Sequence, residues 1–124
     1  MIKQLVESLR RNSVEIVDIN DLDVNKIEKE KENVVISEAL SAAADTGIIF
    51  LGNFDEAKRV GLAEHHVIII KKEVIRKTTI EAYKLAVSKA DYVFASSSAS
   101  KTADIEGKLI WGMHGPRKLS VVII

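Results

Sequence analysis

The sequence predicts a single α/β domain with a mostly parallel sheet and helices on both faces. Helical patterns separate most of six short apolar runs along the 124 residues, which is the alternation expected of parallel strands joined by helical crossovers. The runs are VEIVDI, VVI, IIFL, VIII, YVFA and VVII. Right-handed crossovers would place helices on both faces. Because 47% of the residues are hydrophobic, residues 1–124 can fill the core of one domain.

Composition and charge exclude several classes of function. The chain has 18 basic and 18 acidic residues, so it lacks the positive surplus that favours nucleic acids or acidic membranes. The 124 residues contain no cysteine, which rules out thiolate catalysis and iron–sulfur ligation by these residues. Neither GxGxxG nor GxxxxGKS/T occurs, and we expect no cofactor. The amphipathic N-terminus is unlike a signal peptide and no apolar run approaches ~18 residues, so we expect a cytoplasmic protein without a membrane partner.

Two helices are predicted in the first half of the chain. The first ends near Asn12 and has an apolar stripe at helical spacing, formed by Ile2, Leu5, Val6 and Leu9. Ser37 is expected to cap the second, EALSAAA, whose small residues would let it lie close to the sheet. This helix is expected to stop at Asp45-Thr46-Gly47, where Gly47 can adopt a positive φ. Thr46 and Gly47 are either a plain helix stop or part of a pocket rim.

The middle of the chain predicts a short helix between Asn53 and Glu64 and a buried strand, HHVIII. Adjacent side chains on a strand point in opposite directions, so His65 and His66 cannot chelate one metal ion and no metal site is expected. Thr78 or Thr79 is expected to cap a further helix. The predicted apolar stripe of that helix consists of Ile80, Tyr83, Val87 and Ala90.

A last helix is predicted to open at Thr102. The Thr102 hydroxyl can cap a backbone N–H of the first turn, and Asp104 places a negative charge near the positive end of the helix dipole. Glu106 falls within the apolar face of this helix, which comprises Ile105, Leu109, Ile110 and Met113. A carboxylate on such a face loses hydration unless it is paired, hydrogen-bonded or neutral. Glu106 is therefore the best single candidate for a functional residue.

Structural alternatives to a ligand site remain for these residues. Glu106 could form a buried ion pair with Arg117, Lys101 or His114. The SSSAS loop, which ends at Ser100, offers hydroxyls and free N–H groups to an anion, whereas Asp104 would repel a phosphate unless Lys101 and Arg117 offset it.

The segment HGPRK, residues 114–118, is expected to form a turn with the only proline of the chain. Gly115 frees the backbone to turn, and Arg117 presents a fork suited to carboxylate or phosphate. His114 is either a proton carrier near neutral pH or a packed, capping residue.

Three segments resemble the lactate-utilisation (LUD) domain family: SKTADIEG, GMHGPRKLSVVII and ADTGIIFLG. The likeness covers roughly residues 34 to 124. It implies a fold similar to the sugar-phosphate isomerase and coenzyme A transferase superfold, and a role linked to lactate oxidation alongside iron–sulfur partner proteins. Family members are usually longer before the ADTG segment, and Ile48 stands where their pattern commonly has a second Thr.

Two hypotheses for the function follow. The first is a non-redox component of lactate utilisation, or a binding protein for a small carboxylate or phosphate, in which cations hold the ligand and Glu106 or His114 handles a proton. The second is a homo-oligomeric interaction or scaffold protein without a small-molecule site, whose unpaired strand edge is covered by a second subunit. A transferase with Glu106 as nucleophile follows only from the superfold. The expected ligand-site residues are Thr46, Gly47, Ser100, Lys101, Thr102, Asp104, Glu106, His114, Gly115 and Arg117.

Overall fold

The computed structural model describes residues 1–18, 34–97, 102–104 and 118–124. The helices within these ranges are α1 (Ile2–Arg11), α2 (Phe54–Leu62) and α3 (Thr79–Lys89), with a one-turn 3-10 helix at Lys72–Val74. The strands are β1 (Glu15–Ile16), β2 (Val34–Glu38), β3 (Ser41–Ala43), β4 (Ile49–Gly52), β5 (His65–Ile70), β6 (Ile75–Arg76), β7 (Val93–Ser96), β8 (Thr102–Asp104) and β9 (Lys118–Ile123). No helix among the described residues is both long enough and apolar enough to cross a lipid bilayer.

The first sheet is parallel throughout, with the strand order β1-β9-β5-β2. Its inner strands β5 and β9 are apolar and largely buried, because a parallel strand inside a sheet needs cover on both faces. One face of this sheet contributes Val35, Ile68, Leu119 and Val121 to the main core cluster, together with Leu5 and Leu9 of α1. The predicted α/β class with a parallel sheet is confirmed.

A second sheet, of order β6-β3-β4-β7-β8, was not predicted as a separate layer. Three of its four pairings are antiparallel, and only β3 and β6 run parallel. Strand β2 of the first sheet leads within a few residues into β3 of the second, and β5 likewise leads into β6. These connections are too short for a helical crossover, so two neighbouring parallel strands pass together from one sheet into the other.

The prediction of a helix over the segment EALSAAA is wrong. Strand β2 continues to Glu38, and Ser41–Ala43 forms strand β3. The Ser41 hydroxyl donates a hydrogen bond to the carbonyl oxygen of Ala82 on α3 at 2.6 Å, and Ala42 and Ala43 are fully buried. The small residues do permit a close approach, but they let α3 lie against a strand. Tertiary packing has overridden the helix propensity of alanine.

Helix α3 forms where expected, with Thr78 as its cap, since the backbone N–H of Glu81 donates to the Thr78 hydroxyl at 3.2 Å. The orientation expected from its apolar stripe is wrong: Ile80 is 68% exposed, Tyr83 39% and Val87 45%. Ala82 and Ala86 are the buried residues, in a cluster with Ala43, Phe50 and Val93. Because β3 presents the small side chains of Ser41 and Ala43 to α3, the alanine face of the helix fits it most closely.

The prediction of a helix that begins at Thr102 is wrong for its first three residues. Thr102–Asp104 forms β8, which pairs antiparallel with β7. The roles of Thr102 and Asp104 as cap and first-turn charge are withdrawn with that helix, because the extended backbone pairs with a neighbouring strand instead. The remainder of the predicted helix, including Glu106, lies outside the described residues.

Candidate functional site

The register of the second sheet brings three predicted site segments to one end. The first residue of β4, Ile49, pairs with Ser96 at the end of β7, and Ser96 pairs with Thr102 at the start of β8. Gly47 and Thr46 precede Ile49, the first residue of β4, by two and three residues, and consecutive Cα atoms are about 3.8 Å apart. The Asp45–Gly47 turn, the end of β7 and the start of β8 therefore share one end of the sheet.

The Asp45–Gly47 turn is held by side chains from both flanking helices. At the C-terminal cap of α1, the Asn12 amide donates to the carbonyl oxygen of Thr46 at 2.9 Å. From α3, the Thr79 hydroxyl lies 2.9 Å from the Thr46 hydroxyl and donates to an Asp45 carboxylate oxygen at 3.0 Å. Gly47 has the expected positive φ, 77°. These bonds give the turn a structural role, and they fix the Thr46 hydroxyl at the exposed rim.

The structure does not place the other predicted ligand residues. Ser100, Lys101, Glu106, His114, Gly115 and Arg117 lie outside the described residues. Chain connectivity fixes two anchors: Lys101 directly precedes β8, and Arg117 directly precedes Lys118, the first residue of β9. Lys118 pairs with His65 at the amino end of the first sheet. Asp104 pairs with Phe94 at the far end of β8 from Thr102.

A buried polar network at the amino end of the first sheet was missed by sequence reasoning. The Nε2 atom of His66 lies 2.9 Å from the hydroxyl of Ser37 on the neighbouring strand β2. That hydroxyl donates to the carboxylate of Glu56 on α2. The Glu56 carboxylate in turn accepts from the Arg59 guanidinium at 3.0 Å, at the exposed surface. A chain of four polar side chains therefore runs from solvent to a fully buried imidazole.

The network fixes the tautomer of His66. The Ser37 hydroxyl has one hydrogen, which goes to Glu56, so the Nε2 atom of His66 must donate to the Ser37 oxygen. The Nδ1 atom of a neutral ring is then an acceptor, and it is buried without a hydrogen-bond partner in the part of the chain that the structure describes. Burial first, and the adjacent His65 second, lower the pKa of His66 from 6.5 to about 4. His66 is therefore neutral near pH 7.

The two histidines do not form a shared site. The Nε2 atom of His65 lies 2.8 Å from the hydroxyl of Ser120 on β9, on the opposite face of β5 from His66. No cluster of three or more His, Cys, Asp or Glu side chains suited to a metal ion occurs within the described ranges.

One weak sign of the His66 network was present in the sequence. A serine and a histidine interrupt apolar strands at positions expected to be buried, and buried polar groups usually need partners. Ser37 was interpreted as a helix cap, so its partners were not sought. Glu56 lies 19 residues away on another element, and no local pattern links it to Ser37.

A cleft of about 330 Å³ lies at the carboxyl ends of β2 and β5 and is lined by Glu38, Ala39, Leu40, Lys71, Glu73, Val74 and Lys89. This edge of a parallel sheet is where ligands commonly bind. Its cations already have acceptors, however: Lys71 pairs with Glu38 at 3.1 Å, and Lys89 donates to the carbonyl oxygen of Leu40 at 3.2 Å. The hydrogen bond that Lys71 donates to Glu38 also raises the pKa of Lys71. With two acidic residues beside two lysines, the cleft has no excess charge to attract an anion.

Comparison with known proteins gives concordant matches. The sequence profile of the LUD domain matches residues 4–124. Lactate utilization protein C from Deinococcus radiodurans is 27% identical over 103 residues, which cover 78% of this chain and 49% of that protein. The chain thus spans about half the length of this curated relative. A crystal structure of a DUF162 family protein from Deinococcus radiodurans superposes with a TM-score of 0.67 at 14% identity, covering 98% of this chain and 94% of that chain. This last likeness shows the fold alone.

Proposed function

Because this chain belongs to the LUD domain family, we propose that it is a non-redox component linked to lactate utilisation, which binds a small carboxylate. The similarity to a lactate utilization protein C supports this role. The 124 residues contain no cysteine, so an iron–sulfur cluster serving lactate oxidation would be held by a partner protein.

The observation that carries the proposal is the strand register of the second sheet. Ile49, Ser96 and Thr102 stand side by side, which gathers the Thr46 hydroxyl, the end of β7 and the residues next to Lys101 at one rim. Hydroxyl groups, backbone N–H groups and a lysine are the groups that bind a small anion.

In this proposal Lys101 and Arg117 hold the carboxylate of the ligand. Glu106 or His114 holds or moves a proton on the ligand hydroxyl or carbonyl, the two groups that distinguish lactate from pyruvate. A small phosphate ester would use the same cations, because a guanidinium fork fits phosphate as well as carboxylate.

Thermal unfolding with added ligands tests the proposal. Lactate, pyruvate, inorganic phosphate and coenzyme A would each be added up to millimolar concentration while the midpoint is recorded. A ligand of the native state must raise the midpoint temperature as its concentration rises. At a hundredfold excess over Kd, the free energy of unfolding increases by about 2.7 kcal/mol. No shift with any of the four would contradict the proposal.

Matched variants locate the response. Arg117→Gln is expected to abolish the shift, whereas Arg10→Gln, at an exposed position on α1 with the same loss of charge, should leave it unchanged. Equal loss in both variants would mean that the response reflects net charge and not a site.

The second candidate function is an interaction protein without a small-molecule site, and the exposed apolar face of α3 favours it. Glu106→Gln separates the two. A folded variant without a ligand response supports a site at Glu106, whereas loss of the fold supports a structural ion pair. Glu7→Gln, at an exposed position on α1, controls for removal of one carboxylate.

A further inference from the structure

The outward face of α3 has an apolar stripe that no described element covers. Ile80, Tyr83 and Val87 are all exposed, and at 100° per residue they fall within about 60° of the helix circumference. The ring of Tyr83 also has an inward contact, a tilted packing on Phe50 at a centroid distance of 6.0 Å. The opposite face of the helix already packs on the second sheet through Ala82 and Ala86.

Charges on and around α3 are opposite in sign at roughly equal distances on either side of the middle of the helix. Lys77 precedes the helix and Asp91 follows it, while Glu81 and Lys84 lie beside the apolar stripe on the same flank. All four residues are exposed. One oxygen of Glu81 accepts from the Thr78 hydroxyl at 3.1 Å, which leaves the second oxygen for another donor.

This arrangement is complementary to itself when the helix direction is reversed. If α3 packs antiparallel on a second α3, Ile80 lies opposite Val87 of the partner subunit and Tyr83 lies near the two-fold axis. In the same register, Glu81 meets Lys84 of the partner subunit, and Lys77 lies near Asp91 of the partner subunit. Each contact occurs twice, as two-fold symmetry requires. A parallel packing would place this flank of each helix on opposite sides of the contact, so neither pair of opposite charges would form.

We propose that this face of α3 is a homodimer interface in which the helices of two copies pack antiparallel through Ile80, Tyr83 and Val87. A helix of 11 residues is about 16 Å long, so the contact belongs to the small class of interfaces, below roughly 1,200 Å² in total. The dimer should therefore be weak and dependent on concentration. The inference deepens the second candidate function and does not depend on a small-molecule ligand.

Sedimentation equilibrium from micromolar to millimolar protein tests the interface. The wild type is expected to shift from monomer to dimer over this range. Val87→Glu places charge in the apolar stripe and should abolish the shift. Because Val87 is exposed in the monomer, the variant should keep its fold, which circular dichroism would verify.

Charge reversal tests the antiparallel register itself. Lys84→Glu sets two acidic pairs against each other and should raise the dissociation constant by roughly tenfold. Adding Glu81→Lys restores opposite charges across the axis and should return the constant toward the wild-type value. Lys3→Glu makes the same change of net charge on exposed α1 and should have no effect.

Two results would overturn the inference: a wild type that stays monomeric at millimolar concentration, or a dimer indifferent to both Val87→Glu and Lys84→Glu. A monomeric protein whose midpoint still rises with lactate or phosphate would sink the dimer and leave the ligand site intact. A dimer without any ligand response would do the reverse.

Discussion

Acid should destabilise this protein through the buried imidazole of His66. His66 is fully buried, and its pKa falls from 6.5 to about 4 in the folded protein. Between these two pH values the unfolded chain binds a proton at His66 and the folded chain does not, so the free energy of unfolding falls as the pH falls. Above pH 6.5 both states are neutral and His66 contributes no pH dependence.

The size of the effect follows from the pKa difference. The pKa of His66 falls from 6.5 to about 4, and each tenfold change in proton affinity corresponds to about 1.36 kcal/mol of free energy. The loss at about pH 4 is about 3 kcal/mol, which is a large fraction of the ~5–15 kcal/mol that stabilises a typical domain.

Urea unfolding of wild type and His66→Gln between pH 8 and about pH 4 measures this loss of unfolding free energy. The glutamine amide can still donate to Ser37 but cannot titrate. All other ionisable groups are the same in both proteins, so the difference between the two curves reports on His66. The wild type should lose about 3 kcal/mol more than the variant across that range.

A difference that stays constant from pH 6.5 to about pH 4 would refute the reasoning. Should His66→Gln fail to fold, the imidazole resonances of the wild type give an independent readout. A His66 ring that titrates at its ordinary pKa would then show that burial does not hold it neutral.

Further substitutions test other parts of the structure. Gly47→Ala should cost about 1–3 kcal/mol, measured by urea unfolding, because φ is 77° and a Cβ would lie 2.7 Å from the Asn12 amide; a neutral result would show that the turn relaxes. Thr78→Ala removes the cap of α3 and should cost about 1 kcal/mol in the same assay, and an unchanged stability would mean that water caps the helix equally well. Glu38→Gln breaks the exposed pair with Lys71 and should leave the stability in the same assay nearly unchanged; a clear loss would show that the pair organises the cleft beside it.

Local patterns were sufficient where one residue type or one short run determines the structure. Four consecutive apolar residues predicted the buried strand β5, and Gly47 predicted a turn that needs a positive φ. The side chain of Thr78 satisfies a free N–H of its own helix, so the start of α3 was also visible. None of these features depends on a distant part of the chain.

The errors came where distant contacts decide between two local structures. Ser41–Ala43 has a sequence typical of a helix, but it becomes a strand because β2 runs directly into the second sheet. Helix α3 has two apolar faces that could pack on the sheet, one with Ile80, Tyr83 and Val87 and one with Ala82 and Ala86. The small side chains of β3 select the alanine face. For the candidate site, the sequence named Thr46 and Thr102, but only the pairing of both flanking strands with β7 places them at the same end.

The order of strands in the first sheet has a consequence for how the chain acquires its structure. Among the described strands, β9 comes last in sequence yet lies between β1 and β5, and the described pairings give β1 no other neighbour. A nascent chain emerging from the ribosome cannot assemble this layer until residues 118–123 have been synthesised. Until then β1 lacks its partner and one edge of β5 is open, so the β1–β9 side of this layer must form after translation of those residues. The strand β2 can pair with β5 earlier, and the strands β3, β4, β6 and β7 of the second sheet can also associate earlier.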